Sequence, residues 1–213
     1  PMDPLIDAEA ALEAAPIHPF GNLFRELVVR HGDPDAHGEV VVEGTYEVGM
    51  QDQAFMGPES GMAVPAEDGG VDLYVSTQWL HSDRDQVAAC LGLPPEKVRL
   101  TLAGVGGAFG AREDLSLHVH ACLLALRTGR PVRMSYTRVE SFVGHVHRHP
   151  ARMRYRHEAD RDGRLVRVDA RLLLDGGAYQ SSSAAVLVRS RILFRWGNRP
   201  KRLITAKCRW KIS

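Results

Sequence analysis

Residues Ala103 to Asp114 read AGVGGAFGARED, with four glycines inside seven residues. A stretch so poor in side chains must turn tightly or let something approach its backbone closely. It follows KVRLTL, a β-branched run that reads as a strand, and precedes REDLSLHVHACLLALRTGR, which reads as a helix. Strand, glycine loop, helix is the arrangement that sets a polar or anionic ligand at a helix N-terminus. The dinucleotide fingerprint fails, because counting from Gly104 and Gly106 its third glycine falls on Phe109. The phosphate-binding P-loop fails as well, since no Lys-Ser or Lys-Thr follows Gly110. Glu113 and Asp114 close the loop and would repel phosphates. The expected ligand is polar but not a simple triphosphate. A turn needed only to pack strand on helix is the other reading.

Around the loop the pattern is mixed. DAEAALEAA forms helix by propensity, GNLFRELVVRHGD reads as a second short helix ending at glycine, and GDPDAHGE reads as a linker. VVVEGTYEVGM and VDLYVSTQ read as strands, separated by a segment broken by Pro and Gly. SDRDQVAACLGLP reads as a helix with Ser82 as N-cap and Gly92 as its stop. In the helix after the loop, Leu115, Val119, Cys122 and Leu126 share one face, Glu113 and Asp114 fall in the first turn, and Gly129 ends it. PVRMSYT is a strand, and ARMRYRHEADRDGRLVRVDARLLLDGGAY is a hairpin turning at Arg161-Asp162-Gly163. The expected fold class is α+β, a mixed β-sheet with packed helices.

The net charge of +1 conceals an asymmetry. Residues 189–213 hold nine Lys or Arg and no acid, leaving 18 basic against 26 acidic residues in the first 188. Such a tail suits a nucleic-acid arm, or a segment foreign to the fold, and the second reading is favoured. Composition is otherwise ordinary. With no apolar run near eighteen residues, no membrane span is expected. The acidic start lacks a basic n-region, so no secretory signal is expected. Three scattered cysteines (Cys90, Cys122, Cys208) suit a reducing cytoplasm and supply no iron–sulfur or thiolate zinc set.

GHVHRHP places His145, His147 and His149 at alternate positions. On a strand they would share a face and could bind zinc, but no carboxylate or thiolate stands nearby in a recognised ligand spacing. Polar sheet residues are the alternative.

The segment YVSTQWLHSDRDQVAACLGLPPEKVRLTLAGVGGAFGARED closely resembles the molybdenum-binding large subunit of the xanthine dehydrogenase and aldehyde oxidase family, especially its bacterial xanthine dehydrogenase branch. GPESGMAVP, RTGRPVRM, HRHPARMRY and LLLDGGAY continue the resemblance, which spans about residues 40–188. It implies a partial molybdopterin-binding domain at 40–188, an approach segment at 1–39, and a basic tail not native to the fold at 189–213. It implies a molybdenum-pyranopterin cofactor, either molybdopterin or its cytosine dinucleotide, held by contacts around the metal's own ligands. On that resemblance Gln78 sets its amide beside a molybdenum oxygen ligand, 31 positions before Phe109. Gly107, Phe109 and Gly110 lay backbone and ring against the cofactor, and Glu113 reads the N–H groups of a purine. The implied reaction is hydroxylation of hypoxanthine or xanthine towards urate with water as oxygen source, electrons passing to 2Fe-2S and FAD subunits. Aldehydes or other N-heterocycles are the alternative substrates. A non-catalytic remnant or a basic-tailed nucleic-acid-binding protein is the alternative class, with nucleic acid the less favoured partner. The family's catalytic glutamate has no counterpart here. The chain is therefore expected to be truncated after about residue 188 and inactive alone.

Overall fold

The computed structural model describes residues 6–16, 18–177, 179, 181–192 and 203–211, with 190–192 and 203–211 described by backbone alone. In chain order the elements are α1 (Ala8–Glu13), β1 (Leu23–His31), β2 (Val40–Val48), β3 (Ser60–Pro65), β4 (Val71–Val75), α2 (Leu80–Leu91), β5 (Val98–Leu102), α3 (His118–Thr128), β6 (Val132–Ser135), α4 (Arg138–Gly144), β7 (Ala151–Ala159), β8 (Leu165–Asp175), α5 (Ser183–Ile192) and β9 (Leu203–Lys211). They form two compact units. Residues 52–148 make one, and the chain on either side of them makes the other. The α+β class holds, with two sheets rather than one.

The 52–148 unit has a four-stranded sheet in the order β5-β4-β3-β6, in which only β4 and β5 are parallel. Parallel neighbours need a crossover, and α2 supplies it. Val71, Leu73 and Val75 of β4 and Ala63 of β3 pack with Val87 and Ala88 of α2 and Ala121, Cys122 and Ala125 of α3 into one buried cluster. Gly92 at φ 67° and Gly129 at φ 64° close α2 and α3 in the left-handed region that glycine adopts without strain.

Helix α3 starts at His118, four residues later than its first-turn acids require. Glu113 and Asp114 lie in an irregular segment instead. Its deepest face is Ala121, Cys122 and Ala125 under Leu117, while Leu115, Val119 and Leu126 are only partly buried against that core. Small residues there let the helix sit close to the sheet. Helix α2 starts two residues before Ser82, so Ser82 is not its cap.

The other unit has a five-stranded sheet in the order β1-β9-β8-β7-β2. The β7–β8 hairpin turns where expected: Gly163 has φ 76°, and the Arg164 N–H donates to Asp160 Oδ1 at 2.8 Å. Val168, Ala170, Leu172 and Leu174 alternate inward along β8 against Leu187 of α5.

Two expectations change here. LFRELVVRH, read as helix, is strand β1, with Phe24, Leu27 and Val29 packed towards the core. Pairing with β9 overrides a weak helical propensity. Residues 203–211, read as foreign to the fold, form β9 between β1 and β8, antiparallel to the first and parallel to the second.

Candidate functional site

The parallel pair β4 and β5 ends on one side of its sheet, where open α/β sheets hold their ligands. Gln78 follows β4, and the glycine loop follows β5. Three hydrogen bonds join them. The Ala103 N–H donates to the Val75 carbonyl at 3.0 Å, Ser76 Oγ donates to the Gly104 carbonyl at 2.5 Å, and the Gln78 N–H donates to the Arg112 carbonyl at 3.2 Å. Two segments far apart in sequence thereby become neighbours through backbone groups and the Ser76 hydroxyl.

The loop is built to expose itself. Gly107 and Gly110 have φ 91° and 92°, and Phe109 between them has φ 52°, a left-handed conformation that side-chain-bearing residues rarely adopt. A Cβ on Gly107 would stand 3.2 Å from the Phe109 ring, and one on Gly106 would stand 3.2 Å from the Gly57 nitrogen. The Phe109 side chain is nonetheless 68% exposed. Its conformation is not explained by burial in this chain's core. Among the described residues, the N–H groups of Gly104 to Gly110 donate to no backbone or side-chain oxygen. The loop therefore offers a row of open donors, an aromatic face and room for close approach. Those features fit a bulky, oxygen-rich planar group such as a pyranopterin. Gln78 is exposed and Glu113 half-buried; among the described residues neither side chain makes a hydrogen bond or ion pair. Both amide and carboxylate are open to a ligand.

Beneath the loop lies a support that sequence reasoning passed over. Arg112 is buried, its Nε donating to the Gly107 carbonyl at 3.1 Å and its Nη2 to the Gly57 carbonyl. Its guanidinium lies 4.3 Å over the fully buried ring of Phe55. Burial lowers its pKa from the ordinary value, against the opposing pull of Glu59. His118, also buried, accepts a hydrogen bond at Nδ1 from the Ser116 N–H at 3.1 Å. Burial, and then the positive charge of Arg112, push its pKa down to about 4. Arg112 stood in the quoted GARED; only its burial marks it, and burial is not visible in a single arginine. Thr77, two residues past β4, donates to the buried Asp83 carboxylate and accepts from the Trp79 N–H at 3.2 Å, fixing the start of α2 beside Gln78.

The two-sheet fold and this loop at the ends of parallel strands define a cofactor-cradling α+β domain. The chain belongs to the molybdopterin cofactor-binding domain family, whose model matches residues 18–197. It is 37% identical over 174 residues to a probable xanthine dehydrogenase subunit from Bacillus subtilis, covering 80% of this chain and 23% of that protein. It is 36% identical over 196 residues to the nicotinate dehydrogenase large molybdopterin subunit of Eubacterium barkeri, covering 90% of this chain and 46% of that subunit. The aldehyde oxidoreductase of Desulfovibrio gigas superposes with a TM-score of 0.87 at 25% identity, over 99% of this chain and 24% of that one. The chain thus spans less than half the length of these relatives.

Proposed function

We propose that this chain forms part of the cofactor pocket of a molybdenum hydroxylase acting on purines. The observation that supports the reading best is the joining of Gln78 to the glycine loop at the ends of β4 and β5, with Phe109 exposed and the loop's donors open. In this reading the Gln78 amide would hold the cofactor by a hydrogen bond, and Gly107 and Gly110 would let backbone lie against it. Phe109 would make the close contact with the cofactor and help to exclude water. When bound, the molybdenum centre supplies the two-electron oxidation and the activated water oxygen. Glu113 accepts hydrogen bonds from the purine N–H groups and so orients the carbon to be hydroxylated. Electrons would leave through 2Fe-2S and FAD subunits, in the cytoplasm, and the pterin is either molybdopterin or its cytosine dinucleotide.

The likeness to a nicotinate dehydrogenase subunit over 90% of the chain favours a second reading, hydroxylation of another N-heterocycle. The test is Glu113→Gln in the assembled enzyme. A lost charge-assisted hydrogen bond of ~1.5–3 kcal/mol lowers purine turnover roughly 10- to 150-fold. Molybdenum content should not change, and aldehydes, lacking those donors, should be affected much less. Equal loss on aldehydes and purines would remove the substrate-reading role.

A further inference from the structure

The turn after α4 carries a cluster that the pocket does not use. Helix α4 starts at a capping box: Thr137 Oγ1 accepts from the Glu140 N–H at 3.2 Å, and Glu140 Oε2 accepts from the Thr137 N–H at 2.7 Å. The helix ends at His145, whose extended backbone starts a non-helical turn. The rings of His145 and His147 stack there, 5.1 Å apart and 13° from parallel. Each points its Nε2 at the same atom, Asp52 Oδ2, at 3.1 Å from His145 and 3.5 Å from His147.

We propose that Asp52, His145 and His147 form a binding site for a zinc-like divalent cation. Zinc bonds of ~2.0–2.1 Å to nitrogen and oxygen, arranged tetrahedrally, place neighbouring donor atoms roughly 3.3–3.4 Å apart. The two distances to Asp52 Oδ2 bracket that value. One ligand atom from each residue fits within a 4.8 Å span. Two imidazoles and one carboxylate suit a borderline d-block cation and leave a further position open.

The surroundings point the same way. The outer nitrogen of His145, Nδ1, lies 3.2 Å from Glu59 Oε1, the carboxylate–imidazole–metal arrangement that fixes ring orientation in metal sites. The side chains of His145 and Glu59 are only 3% and 4% exposed. Asp52 Oδ2, both ring nitrogens of His145 and both oxygens of Glu59 are buried without a well-formed hydrogen bond. The buried Glu59 carboxylate and the enclosed Oδ2 of Asp52, on either side of His145, are costly unless a positive charge sits between them. Asp52 and His147 remain 17% and 16% exposed, which leaves a path for entry. His147 Nε2 also lies 2.7 Å from the Phe142 carbonyl, which accepts a hydrogen bond from it when no cation is bound. His149, the third histidine of the run, turns away to Ser183 Oγ at 2.5 Å and is not a ligand.

The cation would pin the turn after α4 to the segment that carries Phe55, since the rings of Phe55 and His145 are 5.3 Å apart. Phe55 in turn supports Arg112 and, through it, Gly107. The role is structural.

The test uses zinc alone, measured separately from molybdenum. The 213-residue chain, stripped with chelator and reloaded with zinc sulfate, should retain one zinc per chain after gel filtration, and unfold at higher temperature than the stripped form. Cobalt in place of zinc should give the intense visible bands of a tetrahedral site. Asp52→Ala and His147→Ala should lose retained zinc and the cobalt bands, while keeping the stripped chain's circular dichroism. Glu59→Gln should weaken zinc roughly 10- to 100-fold without abolishing it. His120→Ala, an exposed histidine on α3 outside the cluster, should bind as the parent does. Absence of retained zinc in the folded parent, or equal retention in Asp52→Ala and His147→Ala, overturns the site. Zinc lost equally from His120→Ala shows adventitious binding and overturns it too. Retention by a folded Asp52→Ala variant alone would assign the metal to other ligands and also overturn the proposal.

Discussion

At the scale of single residues, Phe109 separates ligand binding from stability. Its ring is mostly exposed, and its left-handed backbone suits glycine better than phenylalanine. Phe109→Gly should leave the unfolding temperature unchanged or slightly raised, while the molybdenum retained by chain produced in a cofactor-making host falls. Retention equal to the parent would sink the role given to the ring. The glycines on either side give the converse. A Cβ at φ near +90° costs about 1–2 kcal/mol in either place, but at Gly107 it also meets the Phe109 ring at 3.2 Å, whereas at Gly110 it meets nothing. Gly107→Ala should therefore destabilise the chain, and empty the pocket, more than Gly110→Ala. Urea midpoints and metal content on the two variants decide this. That a strand runs straight into the glycine loop was legible in KVRLTL followed by AGVGGAFG. The buried Arg112 beneath the loop was not, because its burial comes from contact with Phe55 and Gly57, segments distant in sequence.

At the scale of elements, the start of α2 depends on a buried pair. Asp83 is 1% exposed, and burial raises its pKa, with the Thr77 hydrogen bond opposing and the Asp114 charge adding to the rise. Removing the hydroxyl with Thr77→Val leaves a buried carboxylate without its donor, a loss of ~1–3 kcal/mol. Asp83→Asn keeps an acceptor and removes the charge that burial opposes, so it should cost clearly less. Chemical denaturation of the two variants measures the difference, and the reverse order would rule out this account of the helix start. The sequence suggested a cap at Ser82, since serine before an apolar run is the usual signal. The organising side chain is Thr77, three residues before the helix and two past the preceding strand. β1 misled for a related reason: Leu27 and Val29 alternate inward, but Glu26, Arg25 and Arg30 gave the stretch a helical texture. In β9 the scattered basic residues masked a strand whose place is set by its neighbours β1 and β8. The metal cluster was half legible. The histidines were visible as a run of three, whereas Asp52 joins two of them from some ninety residues away.

At the scale of the whole molecule, each unit carries a buried titratable group, and the two respond to acid in different windows. His118 in the 52–148 unit has its pKa pushed down from 6.5 to about 4. Glu158 in the other unit is only 2% exposed. The Gly38 N–H at 3.0 Å, and then Arg156, hold its carboxyl down from 4.5 to about 2. Both shifts have the same sign of effect. A group whose folded pKa lies below its unfolded one binds fewer protons when folded, so the stability it contributes is present above the unfolded value and lost as pH falls. For His118 that loss runs from about 6.5 down to 4 and amounts to about 3 kcal/mol. For Glu158 it starts near 4.5 and continues towards 2. Stability should therefore fall in two steps as pH is lowered, the first weakening the 52–148 unit and the second the sheet of β2, β7 and β8. His118→Gln, which cannot take up a proton, should flatten the first step and leave the second. Glu158→Gln should do the opposite, at the cost of lower stability at neutral pH. Urea midpoints between pH 7 and pH 3, with hydrogen exchange assigning each loss to its unit, read this out. A first step that persists unchanged in His118→Gln would show that the acid sensitivity of the 52–148 unit lies with its other titratable groups.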